Sequence, residues 1–212
     1  KNFIIQNLKK NVKGEFFIRS ESPTILKKRF LDSVSKNKIF GVYSMNDQKL
    51  DSKDDTKVNK LIKKNLNSYD LLIVSDYGHG FLSEKNSKLI CKTKKFLSLN
   101  AQVNASNIGY HTMKKYNNVN AMIINETELR HEMRDKNEDI YKLSKKLLKL
   151  INISDLVVTR GSNGAILTSK NLSKNFSSPA FANKLIDKVG AGDTMLALIS
   201  PLLKVGTPKE LA

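Results

Sequence analysis

The residues best suited to chemistry lie together in one short turn, Gly190-Ala191-Gly192-Asp193. An apolar stretch at residues 195–199 follows the turn and predicts that it opens a helix. Glycines allow a tight bend, and the first N–H groups of a helix lack intrahelical partners and favour an anion. We therefore predict that the backbone N–H groups of these four residues hold the negative charge of a transferring phosphoryl group.

The carboxylate of Asp193 stands in the same predicted first turn. It can accept a proton from a hydroxyl beside the anion site, so that one rigid element would fix both the base and the N–H groups. That arrangement suits phosphoryl transfer, in which positioning and charge stabilisation supply most of the catalysis. The alternative is structural, because an acidic residue in a first helical turn is often only a favourable partner of the helix dipole.

Three further segments follow predicted strands, and each also has a structural interpretation. Gly161, two residues after Thr159, lets the backbone approach a ligand or simply forms a β-turn. Asn125 and Glu128 have the spacing of a capping box at the start of a helix. Asp76 is either an active-site residue or a turn residue. We assign no metal to the three histidines, because they lack the spacing of a metal site.

The elements that must position these residues alternate between strands and helices from residue 51 onward. Strands are predicted at residues 70–74, 101–104, 121–124, 155–160 and 164–168, and helices at residues 58–66, 83–97 and 140–151. This alternation predicts an α/β fold with a mainly parallel sheet flanked by helices, in which ligands sit at the carboxyl ends of the strands. Residues 14–50 are instead β-rich, with strands predicted at residues 15–19, 24–32 and 38–44 after a helix at residues 3–12.

Composition narrows the class of protein. The 212 residues carry a formal net charge of +17 and one cysteine, Cys91, so no intrachain disulfide can form and a cytoplasmic location is predicted. Clustered positive charge would favour a nucleic-acid partner, but the lysines are scattered along every predicted helix. We interpret the charge as a lysine-rich background that helps to attract anionic substrates, and we predict no membrane and no nucleic-acid partner.

The glycine turn and its flanks resemble a known family. Residues 187–193 are similar to the signature Asp-Thr-x-Gly-Ala-Gly-Asp of the PfkB, or ribokinase-like, carbohydrate kinases, with Lys188 where that family usually has Thr. The resemblance implies that Thr159 and Gly161 contact nucleotide phosphates. It also implies that Asn125 and Glu128 organise the phosphates and magnesium, with Glu128 holding the ion through water.

A second resemblance points to one branch of that family. Residues 75–80 are similar to the Ser-Asp-Tyr-Gly-Lys-Gly segment of heptose-phosphate kinases, and residues 22–30 to the Thr-x-x-Lys-x-Arg-Phe stretch of the lid over the sugar. Asn104 stands where that branch usually has the Asp of Val-Asp-Pro-Lys. The resemblance therefore implies that Asp76 and Asn104 bind the sugar.

The function implied is an ATP-dependent phosphotransferase that uses magnesium and moves the γ-phosphoryl group to a hydroxyl of a sugar or sugar phosphate, with a heptose phosphate as one candidate. Residues 1–212 are expected to form a partial ribokinase-like domain, and a homodimer is an expected assembly. Two alternatives stay open: a non-catalytic nucleotide-binding fragment or paralog, and a basic nucleic-acid-binding protein.

Overall fold

The computed structural model describes residues 1–35, 38–103, 106–181 and 190–212. They fall into two compact units, residues 1–46 and 47–212. Within the described ranges, every helix is too short or too polar to cross a membrane.

The first unit contains a short helix and a two-stranded antiparallel sheet. Its elements are α1 (Asn2–Asn7), β1 (Leu26–Leu31) and β2 (Lys38–Ser44). Phe30 and Phe40 face each other across the strands with their rings stacked, 4.4 Å between centroids. The predicted strand at residues 15–19 is wrong, because β1 and β2 pair with each other and those residues join no ladder.

The second unit alternates helices and strands. Its elements are α2 (Ser52–Asn65), β3 (Leu71–Asp76), α3 (Glu84–Ile90), β4 (Phe96–Ala101), β5 (Val119–Asn125), α4 (Glu126–Met133), α5 (Ile140–Ile151), β6 (Ile153–Thr159), β7 (Ala165–Ser169), β8 (Phe176–Ser178) and α6 (Ala191–Lys204). The strands form one sheet in the order β3-β4-β5-β6-β7-β8. Neighbours from β3 to β6 run parallel, whereas β7 and β8 are antiparallel.

Helices cover both faces of this sheet. On one face α6 packs against β3, β4 and β5, and its Leu196 and Leu203 are buried with Ala121 and Ile123 of β5. Alternate strand residues point to the opposite face. There the larger core joins the strands to α3, α4 and α5 through Leu97, Leu99, Met122, Ile124, Ile90, Leu129, Leu143 and Leu147. The predicted α/β fold with a mainly parallel sheet is confirmed.

One stretch of the sequence folds differently from the prediction. The helix predicted at residues 83–97 ends at Ile90, and residues 96–101 form β4 instead of part of that helix. Residues 97–101 alternate between apolar and polar side chains, the period of a strand, although Ser98 and Asn100 are buried together with their apolar neighbours. The strand predicted at residues 101–104 therefore lies several residues earlier in the chain.

Candidate active site

The amino end of α6 has the glycine turn and helix start that the sequence predicts. Gly190 caps the helix with a φ of 85°, in the left-handed region that glycine adopts without strain. Among the described residues, a Cβ atom built on Gly190 or Gly192 would have no neighbour within 4 Å. The first intrahelical bond runs from the N–H of Thr194 to the carbonyl oxygen of Gly190, at 2.9 Å. Helix geometry leaves the N–H groups of Ala191, Gly192 and Asp193 available to a ligand.

Asp193 lies in the first turn of α6 and its side chain is exposed. One carboxylate oxygen, Oδ1, accepts a hydrogen bond of 3.2 Å from the hydroxyl of Tyr77. Tyr77 directly follows the last residue of β3. Asp193 is therefore at the carboxyl edge of the parallel strands, where ligands bind in open α/β sheets.

The two predicted nucleotide-binding segments meet at the same edge. Asn125 ends β5 and Thr159 ends β6, and the two residues are paired in register. The guanidinium Nε of Arg160 lies 3.0 Å from a carboxylate oxygen of Glu126, which links the segments that follow these strands. Gly161 is exposed with a φ of 58°, and a Cβ atom placed on it would lie more than 4 Å from its neighbours in the described part of the chain. The edge thus offers accessible backbone beside Asn125.

Asn125 and Glu128 form the capping box that the sequence predicts at the start of α4. Glu128 is buried, and its two carboxylate oxygens accept hydrogen bonds from the N–H groups of Asn125, at 2.9 Å, and Val103, at 3.2 Å. Burial raises the pKa of Glu128 above its ordinary value, against the opposing effect of these two bonds. The capping role is confirmed, and it leaves each oxygen with a further lone pair.

The fit of this edge to magnesium can be judged from Glu128. A buried carboxylate with backbone donors alone would be stabilised by a nearby cation, because burial penalises its charge. The described residues contain no group of three or more His, Cys, Asp or Glu side chains able to hold a metal ion. Magnesium bound here would therefore take most of its ligands from phosphates and water, as it does at many nucleotide sites.

Asp76 is buried at the end of β3. Its Oδ2 accepts hydrogen bonds from the ammonium of Lys115, at 2.6 Å, and the hydroxyl of Tyr116, at 2.7 Å, while Oδ1 accepts the N–H of Gly78 at 3.0 Å. Burial alone would raise the pKa of Asp76, but the charge and hydrogen bond of Lys115 and the bond from Tyr116 lower it overall. Asp76 thus anchors the loop after β3, and sugar binding by it stays a prediction. Asn104 lies outside the described residues.

Two residues near this edge were not predicted. Tyr77 hydrogen-bonds to Asp193. Its hydroxyl and its position just after a strand were the features of the sequence that could have indicated a residue of the site. Asn100 is buried near the end of β4, where its Nδ2 donates to the carbonyl oxygen of Ile123 at 2.7 Å. Its Oδ1 finds no partner among the described residues.

Comparison with known proteins identifies the family of this chain. Residues 1–210 match the family described as pfkB family carbohydrate kinase. The bifunctional protein HldE of Campylobacter jejuni subsp. doylei is 26% identical over 208 residues, which cover 94% of this chain and 42% of HldE. The chain therefore spans less than half the length of that relative.

Solved structures share the fold at low sequence identity. A point mutant of Escherichia coli phosphofructokinase-2 gives a TM-score of 0.67 at 13% identity, covering 88% of this chain and 60% of that chain. Arabidopsis thaliana ribokinase complexed with ribose and ATP gives a TM-score of 0.63 at 16% identity, covering 90% of this chain and 60% of that chain. The match of residues 1–210 decides the relationship: this chain belongs to the pfkB family of carbohydrate kinases.

Proposed function

We propose that the protein containing this chain transfers the γ-phosphoryl group of ATP to a hydroxyl of a sugar or sugar phosphate. The observation that carries the proposal is the amino end of α6, where an exposed carboxylate and the first helical N–H groups lie on one turn behind Gly190. Membership of the pfkB family supports sugar phosphorylation, and the complex of a structural relative with ribose and ATP supports ATP as the donor.

In the proposed mechanism, Asp193 accepts the proton of the acceptor hydroxyl while the oxygen of that hydroxyl bonds to the γ-phosphorus. The bond between the γ-phosphorus and the bridging oxygen breaks, and ADP leaves with that oxygen. The N–H groups of Gly190, Ala191, Gly192 and Asp193 stabilise the charge on the equatorial oxygens of the transferring group. Donors fixed in advance toward developing charge supply the largest catalytic effect in such reactions.

The nucleotide is proposed to lie across the ends of β5 and β6. Thr159 and Gly161 would hold its phosphates, because Gly161 leaves accessible backbone at this edge. Asn125 and Glu128 would organise magnesium, with Glu128 acting through bound water. Magnesium supplies charge neutralisation to the phosphate oxygens when it is present.

A heptose phosphate is the first acceptor to test. Residues 75–80 resemble the heptose-phosphate kinase segment, with His79 where that branch commonly has Lys, and HldE is a curated relative over nearly the whole chain. The net charge of +17 favours an anionic acceptor over a neutral sugar. Asp76 and Asn104 are the residues proposed to contact the sugar.

The decisive experiment replaces the proposed base in the full-length protein. ATP consumption is first measured with a panel of sugars and sugar phosphates, and the best acceptor is then used with Asp193→Asn. We expect turnover to fall by about 10²–10⁴-fold, the usual contribution of general acid–base catalysis. ATP binding, measured by calorimetry, should persist because the fold and the N–H groups of the turn remain.

Glu84→Gln is the matched control for this experiment. Glu84 also lies in the first turn of a helix, α3, and is exposed, but it is on another element. If Asp193 served only the helix dipole, the two substitutions would have similar small effects on stability and none on turnover. Retained turnover in Asp193→Asn would remove Asp193 as the base, and no ATP consumption with any acceptor would refute the proposed function.

A further inference from the structure

The proposed base receives a hydrogen bond from a distant part of the sequence. Tyr77 and Asp193 are 116 positions apart, and the phenol hydroxyl of Tyr77 donates to Oδ1 of Asp193 at 3.2 Å. Asp193 does not cap its own helix, because the cap position belongs to Gly190. Within the described part of the chain, Tyr77 is thus the side-chain donor that can fix the orientation of this carboxylate.

The backbone of Tyr77 is held on both sides. The next N–H group, that of Gly78, donates to Oδ1 of the buried Asp76 at 3.0 Å. The carbonyl oxygen of Tyr77 accepts a hydrogen bond of 3.1 Å from Nδ2 of Asn107, which is buried. Tyr77 therefore projects from a fixed segment although 40% of its surface is exposed.

Gly78 shows how closely this segment is packed. Its φ is 67°, and a Cβ atom there would lie 2.2 Å from the side-chain nitrogen of Asn107. Asp76 in turn is held by Lys115 through a buried ion pair of 2.6 Å. A loop packed on buried, hydrogen-bonded partners has little freedom to move, so the phenol hydroxyl is delivered to Asp193 from a rigid support.

We propose that Tyr77 is a positioning residue that orients the carboxylate of Asp193 toward the acceptor hydroxyl. By holding Oδ1, the phenol leaves Oδ2 as the oxygen directed to the substrate proton. The gain comes from restricting the side chain to a productive geometry, since small displacements of a reacting group lower the rate strongly. This inference rests on the proposed function, because it assigns Asp193 the role of base.

The test is Tyr77→Phe in the full-length protein, assayed with the acceptor that wild type uses best. We expect kcat to fall by about ten- to hundredfold. The KM for ATP and the midpoint of thermal unfolding should stay at their wild-type values, because the change removes one hydroxyl and keeps the ring and its packing. Tyr69→Phe is the control, since Tyr69 is exposed just before β3, at the opposite end of that strand.

A double-mutant cycle separates positioning from a merely structural role. Asp193→Glu moves the carboxylate by about one methylene, so the phenol can no longer hold it in the wild-type geometry. Tyr77→Phe should then lower kcat much less in the Asp193→Glu background than in wild type. Equal losses in both backgrounds, or wild-type kcat in Tyr77→Phe alone, would overturn the inference.

The outcomes also distinguish this inference from the proposed function. If wild type consumes no ATP with any acceptor, or if Asp193→Asn keeps its turnover, the proposed function itself fails. If wild type is active, Asp193→Asn is inactive and Tyr77→Phe matches the Tyr69→Phe control, only the positioning role of Tyr77 fails.

Discussion

A buried cluster of charged and polar side chains holds Asp76, one of the residues proposed to contact the sugar, at the end of β3. Asp76 and Lys115 form its ion pair, and Tyr116 donates a hydrogen bond to the same carboxylate. Burial lowers the pKa of His111, which favours its neutral ring, and burial raises the pKa of Tyr116, which favours its neutral phenol. The cluster therefore carries one positive and one negative charge, and the loss of either would leave the other uncompensated.

The ion pair makes a prediction about stability. Lys115→Met should lower the free energy of unfolding by about 3–5 kcal/mol at pH 7, because it leaves the carboxylate of Asp76 buried without its cation. In wild type the lowered pKa of Asp76 means that its contribution is present at neutral pH and is lost as the pH falls through the folded-state value. In Lys115→Met, burial dominates the environment of Asp76 and favours its protonated carboxyl. The difference from wild type should therefore narrow as the solution is acidified, which denaturant unfolding at several pH values will measure.

Lys95→Met provides the comparison for this ion pair. Lys95 lies 3.7 Å from Asp70, whose side chain is 90% exposed, so water screens the pair. Exposed pairs of this kind contribute little to stability. A loss in Lys115→Met no larger than that in Lys95→Met, or one that is independent of pH, would contradict a stabilising role for the buried pair.

At the scale of elements, the sequence predicts a segment well where one apolar pattern decides it. The stripe at residues 140–151 predicts α5 with the bounds that the structure has, and the apolar runs after residues 70 and 120 predict β3 and β5. The helix prediction over the start of β4 is wrong, although residues 97–101 alternate between apolar and polar side chains. The burial of Ser98 depends on a partner that the local sequence does not reveal. Its hydroxyl contacts that of Ser200, 102 positions later on α6, at 2.6 Å.

The same distinction applies to the site. The turn from Gly190 to Asp193 could be predicted because glycines, carboxylate and helix start are adjacent in the sequence. The contact between Tyr77 and Asp193 could not, because it depends on how α6 packs against β3. Local chemistry is thus readable from the sequence, whereas the partners that orient it come from tertiary packing.

The two ends of α6 allow the anion-binding role of its amino end to be tested. Gly190 has a φ of 85° before the helix and Gly206 a φ of 79° after it, and a Cβ atom at either would meet no described residue within 4 Å. Valine at either position should cost about 1–3 kcal/mol of stability through backbone strain alone. Only Gly190→Val should also lower kcat, on the order of a hundredfold, because it redirects the N–H groups at the phosphoryl group.

Steady-state kinetics and thermal unfolding of both variants measure these effects. Gly206→Val carries a similar backbone strain, so any loss of kcat in that variant shows how much of the loss in Gly190→Val comes from lower stability alone. If Gly190→Val and Gly206→Val were equally active, the turn would not hold the transferring group.

At the scale of the whole molecule, the main feature is positive charge. The net charge of +17 is spread over 37 lysines and arginines against 20 acidic residues. A field of this sign concentrates anions near the surface, whether or not a single residue binds them. It is compatible with a kinase for sugar phosphates, and the predictions of no nucleic-acid partner, a homodimer and a cytoplasmic location stay predictions.

The field predicts a dependence of substrate capture on salt. Ionic strength of about 0.1 M reduces the screening length to about 10 Å, which weakens long-range attraction between the protein and an anion. Raising the ionic strength with an inert salt at constant free magnesium should therefore raise the KM for ATP and for a phosphorylated acceptor. The KM for a neutral sugar should stay unchanged, which makes the neutral sugar the internal control, and kcat should change little because the reacting groups are in contact.

A KM for ATP that does not respond to salt would show that the positive charge has no part in substrate capture. Salt-sensitive binding of an arbitrary DNA duplex at physiological ionic strength would instead favour the nucleic-acid alternative.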